Sequence, residues 1–178
     1  IIKHIEIPCV IKPINGGSSV GITIVKDAGD IRNALSEAFI YSEQVLIEQY
    51  INGREFSVGV LDGNALPVIE IMAKDGFYDY YNKYHSNTTQ EICPADISDC
   101  ISSEMMKTAE KIEKKLGLRD YSRVDFILDE RNELYCLEVN SLPGMTENSL
   151  LPKEAAVVGI SFVDICDKIV TLALRHKY

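Results

Sequence analysis

The sequence predicts an α+β protein built on antiparallel sheet, and three observations carry that reading. Short runs rich in Val and Ile are joined by turn residues, as at Asn52-Gly53 and Asp62-Gly63, and these residue types tolerate the positive φ of tight hairpin turns. Three other stretches, 27–40, 99–116 and 161–175, space their apolar residues at the helical period. The 178 residues, 46% apolar, suffice for one sizeable domain or two closely packed lobes.

Strands are expected at 8–12 and 21–26. Between them "IKPINGGSSVGI" places Lys12 ahead of a Gly–Ser loop, the reverse of the common phosphate loop, in which lysine follows the glycines and opens a helix. Over 27–40, Ile31, Ala34, Leu35, Ala38 and Phe39 fall on one helical face, with Asp27 or Asp30 placed to cap. "QVLIEQYINGREFSVGVLDGNALPVIEI" then reads as three strands separated by two turns. Residues 74–94 have no period but carry Phe77, Tyr78, Tyr80, Tyr81 and Tyr84. A loop of that length is functional or disordered, and the aromatics favour function. The helix at 99–116 sets Ile101, Met105, Ala109, Ile112 and Leu116 in a stripe, with Asp99 or Ser102 capping it and Gly117 closing it. A hairpin at 123–140, a Pro143-Gly144 turn, a short helical stretch and a helix from Ser161 to about Arg175 complete the chain.

Composition removes several function classes. A net charge of −9 with no basic block argues against nucleic acid as a partner. No apolar run approaches the roughly 20 residues of a membrane span. The five cysteines form no C-x-x-C pair, which fits reduced thiols and a cytoplasmic location. The opening "IIKHIEIP" reads like the middle of a protein, so a fragment is expected.

The chemistry concentrates in "YSRVDFILDERNELYCLEVNSLPG", 121–144. A turn symmetric about Arg131-Asn132 sets Asp125 opposite Glu138 and Arg123 opposite Asn140. Those four side chains then share one face, and Val124, Phe126, Leu137 and Val139 share the other. Two carboxylates and an amide oxygen are hard ligands suited to Mg²⁺. The alternative is a solvent-facing strand pair with Arg123 neutralising the acids. The register decides, because a one-residue slip separates the carboxylates.

Lys12-Pro13 with the following Gly-Ser-Ser-x-Gly, "LIEQYINGREFSV", "SRVDF" and "EVNSLPGMTENSLLP" together resemble the D-alanine–D-alanine ligase family of the ATP-grasp superfamily. Order and spacing match from about residue 8 to the C-terminus. The resemblance implies two α+β lobes of antiparallel sheet flanked by helices, with ATP between them. Residues 1–57 would be part of the small lobe, and 58–178 the C-terminal lobe with a lid at about 74–94 and a metal site in 123–140.

The same resemblance implies roles residue by residue. Lys12 contacts the ATP phosphates, and the loop Gly16, Gly17, Ser18, Ser19 to Gly21 approaches them through backbone N–H groups. Glu48 takes the adenine amino group, the backbone from Gln49 to Ile51 reads the adenine edge, and Glu55 holds the ribose. Asp125, Glu138 and Asn140 bind two Mg²⁺ ions, with Mn²⁺ able to substitute, while Arg123 and the Gly144 N–H stabilise developing negative charge. Lys83 of the lid, with Ser149 and Leu150, receives the second D-alanine, and Tyr84 bonds Ser18. The activity implied is ATP-dependent joining of two D-alanines through an acylphosphate for peptidoglycan, by a full-length protein that is a homodimer. Family members carry a further N-terminal domain, so the 178 residues alone are expected to be inactive or badly impaired. Two alternatives stay open: another ATP-grasp carboxylate–amine ligase, such as a D-alanine–D-serine type, and a non-catalytic nucleotide-binding module.

Overall fold

Antiparallel registers organise two separate compact units in the computed structural model, which describes residues 6–15, 17, 19–73 and 89–175. Of these, the residues up to Asn52 belong to the first unit, and Gly53–Met72 with Gln90 onward form the second.

In the first unit, β1 (Cys9–Pro13) is the central strand between β2 (Thr23–Val25) and β3 (Val45–Gln49). The helix α1 (Ile31–Tyr41) lays Ile31, Ala34 and Ala38 against Cys9, Ile11 and Val25. Asp27, not Asp30, supplies the cap: its carboxylate accepts the Gly29 N–H at 2.7 Å, opening a 3₁₀ turn at Ala28–Asp30 that leads into the helix. Phe39 falls off the inward stripe and is half exposed.

The second unit is a six-stranded sheet of β4 (Gly53–Leu61), β5 (Asn64–Ala65), β6 (Ile69–Ala73), β7 (Thr89–Ile92), β8 (Tyr121–Asp129) and β9 (Leu134–Asn140). The order is β7-β6-β4-β8-β9, with β5 folded back on β4. One face packs against α2 (Asp99–Leu116): Phe56, Val58, Val60, Val124, Phe126 and Leu128 surround Met105 and Ala109. Phe56 and Phe126 are cross-strand partners, each no more than 1% exposed, and burying each ring contributes roughly 2–3 kcal/mol. A second apolar cluster joins Leu61 and Leu66 to α3 (Leu150–Val157) and α4 (Phe162–Arg175) through Leu151, Ala155, Ile165 and Leu172.

The expected elements are present, with instructive departures. The domain break falls before Gly53 rather than after residue 57, because β4 is one strand that pairs along its length with β8. Asn52-Gly53 is therefore not a hairpin turn, since β3 and β4 lie in different sheets. Gly53 is demanded by close approach instead, as a Cβ there would stand 2.3 Å from the Leu128 carbonyl oxygen. Asp62-Gly63 is the expected tight turn, with φ of 56° and 75°. Ser98, not Asp99 or Ser102, caps α2 by accepting the Ile101 N–H, and Gly117 ends that helix at φ 66°. Leu116, expected in the α2 stripe, is 60% exposed. Residues 74–88 of the expected lid lie outside the described residues, and Thr89–Ile92 at its end is strand, not loop.

Candidate active site

The β8–β9 hairpin brings the four polar residues of its outer face together, by a route other than the symmetric turn. The loop is Glu130–Asn132, closed by the Asp129 N–H donating to the Glu133 carbonyl at 3.1 Å, with Asn132 at φ 61°. Asp129 fixes it by accepting the Arg131 and Glu133 N–H groups at 2.9 and 2.8 Å. Three loop residues in place of two shift the register by one, pairing Leu128 with Leu134 and Phe126 with Cys136. An irregularity beyond Phe126 then takes up one residue, Leu137, and restores Asp125 opposite Glu138 and Arg123 opposite Asn140. Leu137, expected in the core, is consequently 41% exposed.

Asp125 is the hub of the cluster. Its Oδ1 accepts from Arg123 Nε at 2.8 Å and Ser57 Oγ at 2.8 Å. Its Oδ2 accepts from the Arg123 guanidinium at 2.7 Å and Asn140 Nδ2 at 3.1 Å. Those four bonds fill the acceptor capacity of a carboxylate. Asn140 Nδ2 also donates to Glu138 Oε1 at 3.2 Å. Burial works against the Arg123 charge, but its bonds to Asp125 more than offset that and hold its pKa above the ordinary arginine value. The Cys136 thiol is pushed up by burial and then by the charges of Asp125 and Glu138.

These residues fit a divalent cation. Two carboxylates and one amide within a few ångströms are the oxygen-rich set Mg²⁺ takes, and with Arg123 counted the group keeps one surplus negative charge. Among the described residues, no three His, Cys, Asp or Glu side chains gather as a metal set, so a third protein donor here would have to be the Asn140 amide. To bind a cation, Asn140 would turn its amide over from the orientation that donates to the two acids, and Asp125 would give up part of its bonding to Arg123, Ser57 and Asn140.

Two residues of this neighbourhood escaped the sequence reading. Ser57 is fully buried on β4 and pairs directly with Asp125. Glu154 of α3 is also fully buried, and its Oε2 accepts the Gly59 N–H. Burial pushes its carboxyl up to about 8 despite that bond and the nearby Arg123. A signal for Glu154 was available: with Leu151 and Ala155 it lies on the inward i, i+3, i+4 stripe of a short apolar helix.

The turn after β9 joins Gly144 to Ser149, whose Oγ lies 3.1 Å from the position of a Gly144 Cβ. Ser149 Oγ accepts the Thr146 N–H at 3.0 Å and shares a hydrogen bond with Thr146 Oγ1 at 2.9 Å. The Leu150 side chain is buried at 6% exposure, so its part toward a ligand is limited to backbone at the start of α3.

In the first unit, Lys12 of β1 and Glu48 of β3 form an ion pair with each other. The two residues assigned to phosphate and adenine are thus each other's partner here. Gly17 is exposed with nothing within 4 Å of a Cβ position, whereas a Cβ on Gly21 would meet the Tyr41 ring at 2.6 Å. The Val20 N–H bonds the Gly17 carbonyl at 3.2 Å and the Ile22 N–H bonds that of Ser19 at 3.4 Å, which commits both donors within the loop. Gln49 is exposed at the end of β3 and Ile51 is half-buried just beyond it. Glu55 is half-buried on β4 of the second unit, between Ile71 and Ile127. Gly16, Ser18, Lys83 and Tyr84 lie outside the described residues. Among the described residues, no helix is long and apolar enough to cross a membrane.

Comparison with known proteins gives the family and the fold. Residues 1–171 match the family model described as D-ala D-ala ligase C-terminus. A D-alanine–D-alanine ligase of Citrifermentans bemidjiense is 46% identical over 167 residues, 94% of this chain and 55% of that protein. The solved VanG D-Ala:D-Ser ligase of Enterococcus faecalis superposes with a TM-score of 0.84 at 34% identity, covering 96% of this chain and 50% of its own. The D-alanine–D-alanine ligase of Bacillus anthracis complexed with ATP gives 0.79 at 32% identity, over 94% of this chain and 53% of its own. The chain therefore spans about half the length of the relatives it matches.

Proposed function

The chain belongs to the D-alanine–D-alanine ligase C-terminal family and has an ATP-grasp fold, and from that premise we propose that its protein joins two D-alanines at the expense of ATP. The observation that supports this most is the convergence of Arg123, Asp125, Glu138 and Asn140 on one face of β8–β9. Phosphoryl transfer to a carboxylate, and attack of an amine on the resulting acylphosphate, both accumulate negative charge on oxygen. Positioned cationic groups lower such barriers. Bound Mg²⁺ would supply Lewis-acid stabilisation of the phosphates, held by Asp125, Glu138 and Asn140. Arg123 is half-buried and held by Asp125 before any ligand arrives. Lys12 offers a point charge for phosphate once its pair with Glu48 opens, which frees Glu48 for the adenine amino group. Ser149 is a polar group for the second amino acid, and the Gly144 N–H joins Arg123 in stabilising the developing negative charge. Cytoplasmic location and a homodimer belong to the same proposal.

The VanG neighbour supports a second reading, in which D-serine is the second substrate. Calorimetric titration of Mg²⁺-ATP tests the site common to both. We expect saturable, Mg²⁺-dependent binding to the wild type and at least tenfold weaker binding to Asp125→Asn/Glu138→Gln. Equal affinity in the two proteins would refute the metal assignment.

A further inference from the structure

Glu154 Oε1 is, among the described residues, the buried side-chain polar atom left without a hydrogen-bond partner. Leaving such an atom unsatisfied is costly, so its surroundings bear on what it does. Gly59 and Arg123 are direct partners across β4 and β8. A side chain at 59 would therefore leave the sheet on the same face as Arg123, with its Cβ about 5 Å from that of Arg123. The Glu154 carboxylate stands there instead: Oε2 lies 2.5 Å from the position of a Gly59 Cβ and accepts the Gly59 N–H. Burial, aided by the charge of Asp125, keeps the Glu154 proton up to about 8, against the pull of the Gly59 bond and of Arg123. Arg123 favours the ionised form of Glu154, and Glu154 adds to the field that holds the Arg123 proton. The guanidinium fork itself is spent on Asp125.

We propose that Glu154 is a positioning residue for Arg123: the guanidinium has two carboxylate stations, and it passes to Glu154 Oε1 when Asp125 turns its oxygens to another cation. In the ligase reading above, on which this role rests, the move keeps the arginine's charge inside the site at the moment the metal claims Asp125. The pairing itself can be tested without metal or nucleotide.

Asp125→Asn removes the first station. Thermal midpoints of wild type, D125N, E154Q and the double variant at pH 7 close a cycle that reads the coupling directly. With Asp125 present, Glu154 is spare, and E154Q should shift the midpoint by no more than about 3 °C. In the D125N background the Asp125 charge that helps keep Glu154 protonated is gone, Glu154 is the remaining carboxylate for a half-buried guanidinium, and E154Q should cost about 10 °C. Equal shifts in both backgrounds overturn the proposal. Should the double variant not fold, ¹⁵N-labelled D125N alone decides. An Arg123 Nε–H signal protected from solvent exchange supports the second station, and its loss into solvent exchange refutes it. Failure of the ligase reading would show elsewhere, as absent binding of Mg²⁺-ATP to the wild type.

Discussion

Glu154 and Gly59 show how one residue's chemistry is set by another's missing side chain. Burial raises the Glu154 carboxyl to about 8, so the folded chain keeps a proton that the unfolded chain releases above the ordinary carboxylate range. Between about pH 4.5 and 8 the native state thus binds more protons, and stability falls as pH rises. The contribution is complete below about 4.5 and gone once pH passes the folded value. Urea midpoints from pH 5 to 8 should decline in the wild type more steeply than in Glu154→Gln; parallel curves would rule the assignment out. Gly59 has to stay small, because a Cβ would press on Glu154 Oε2 at 2.5 Å and on Leu151 and Leu66 at 3.1 Å. Overpacking of that kind costs about 1–3 kcal/mol, so Gly59→Ala should melt roughly 5 °C lower in a protein of this size, as differential scanning calorimetry would register.

The β8–β9 hairpin makes the corresponding point for elements, since its face pattern came out as expected except at Leu137, although its turn did not. Alternation of polar and apolar residues over Arg123–Phe126 was plain in the sequence, and burial alternates residue by residue along the whole of β8. The turn was harder, because Asn132 in the left-handed region makes a three-residue loop of what reads as a two-residue one. The resulting one-residue slip would have faced Asp125 with Leu137, and the irregularity that absorbs Leu137 corrects it. Deleting Leu137 should therefore give an uninterrupted ladder that still sets Asp125 opposite Glu138. We expect Mg²⁺-ATP affinity within about threefold of wild type, measured calorimetrically; loss of binding would mean that the local twist of the bulge, and not register alone, shapes the site. Capping was legible in kind but not in position: α2 spans 99–116 as expected, and Ser98, the residue just before it, holds the Ile101 N–H at 3.4 Å in place of Asp99 or Ser102.

For the whole molecule, what could be read was local, and what could not was distant in sequence. Strands, helices and the Arg123–Asn140 face follow from periods of two and 3.6. The bond from Gly59 to Glu154 spans 95 residues and that from Ser57 to Asp125 spans 68, and no local pattern announces either. The unit boundary was displaced for the same reason: a strand run says nothing of which sheet it joins, and β4 joined the sheet of β8. The chain spans about half the length of the relatives it matches, so substrate choice is tested in a protein of their length. A chimera supplies the rest, with this chain replacing the matching half of the Citrifermentans bemidjiense ligase, to which it is 46% identical. ATP-dependent formation of D-alanyl-D-alanine is expected, with turnover reduced at least a hundredfold by Asp125→Asn/Glu138→Gln, in line with removing charge-stabilising groups from a reacting phosphoryl centre. Offered D-alanine and D-serine together, the chimera should make mainly the D-alanine product. Mainly D-alanyl-D-serine would place the selectivity of the VanG-like reading within these 178 residues, and no product from a folded chimera that binds ATP would favour a nucleotide-binding module instead.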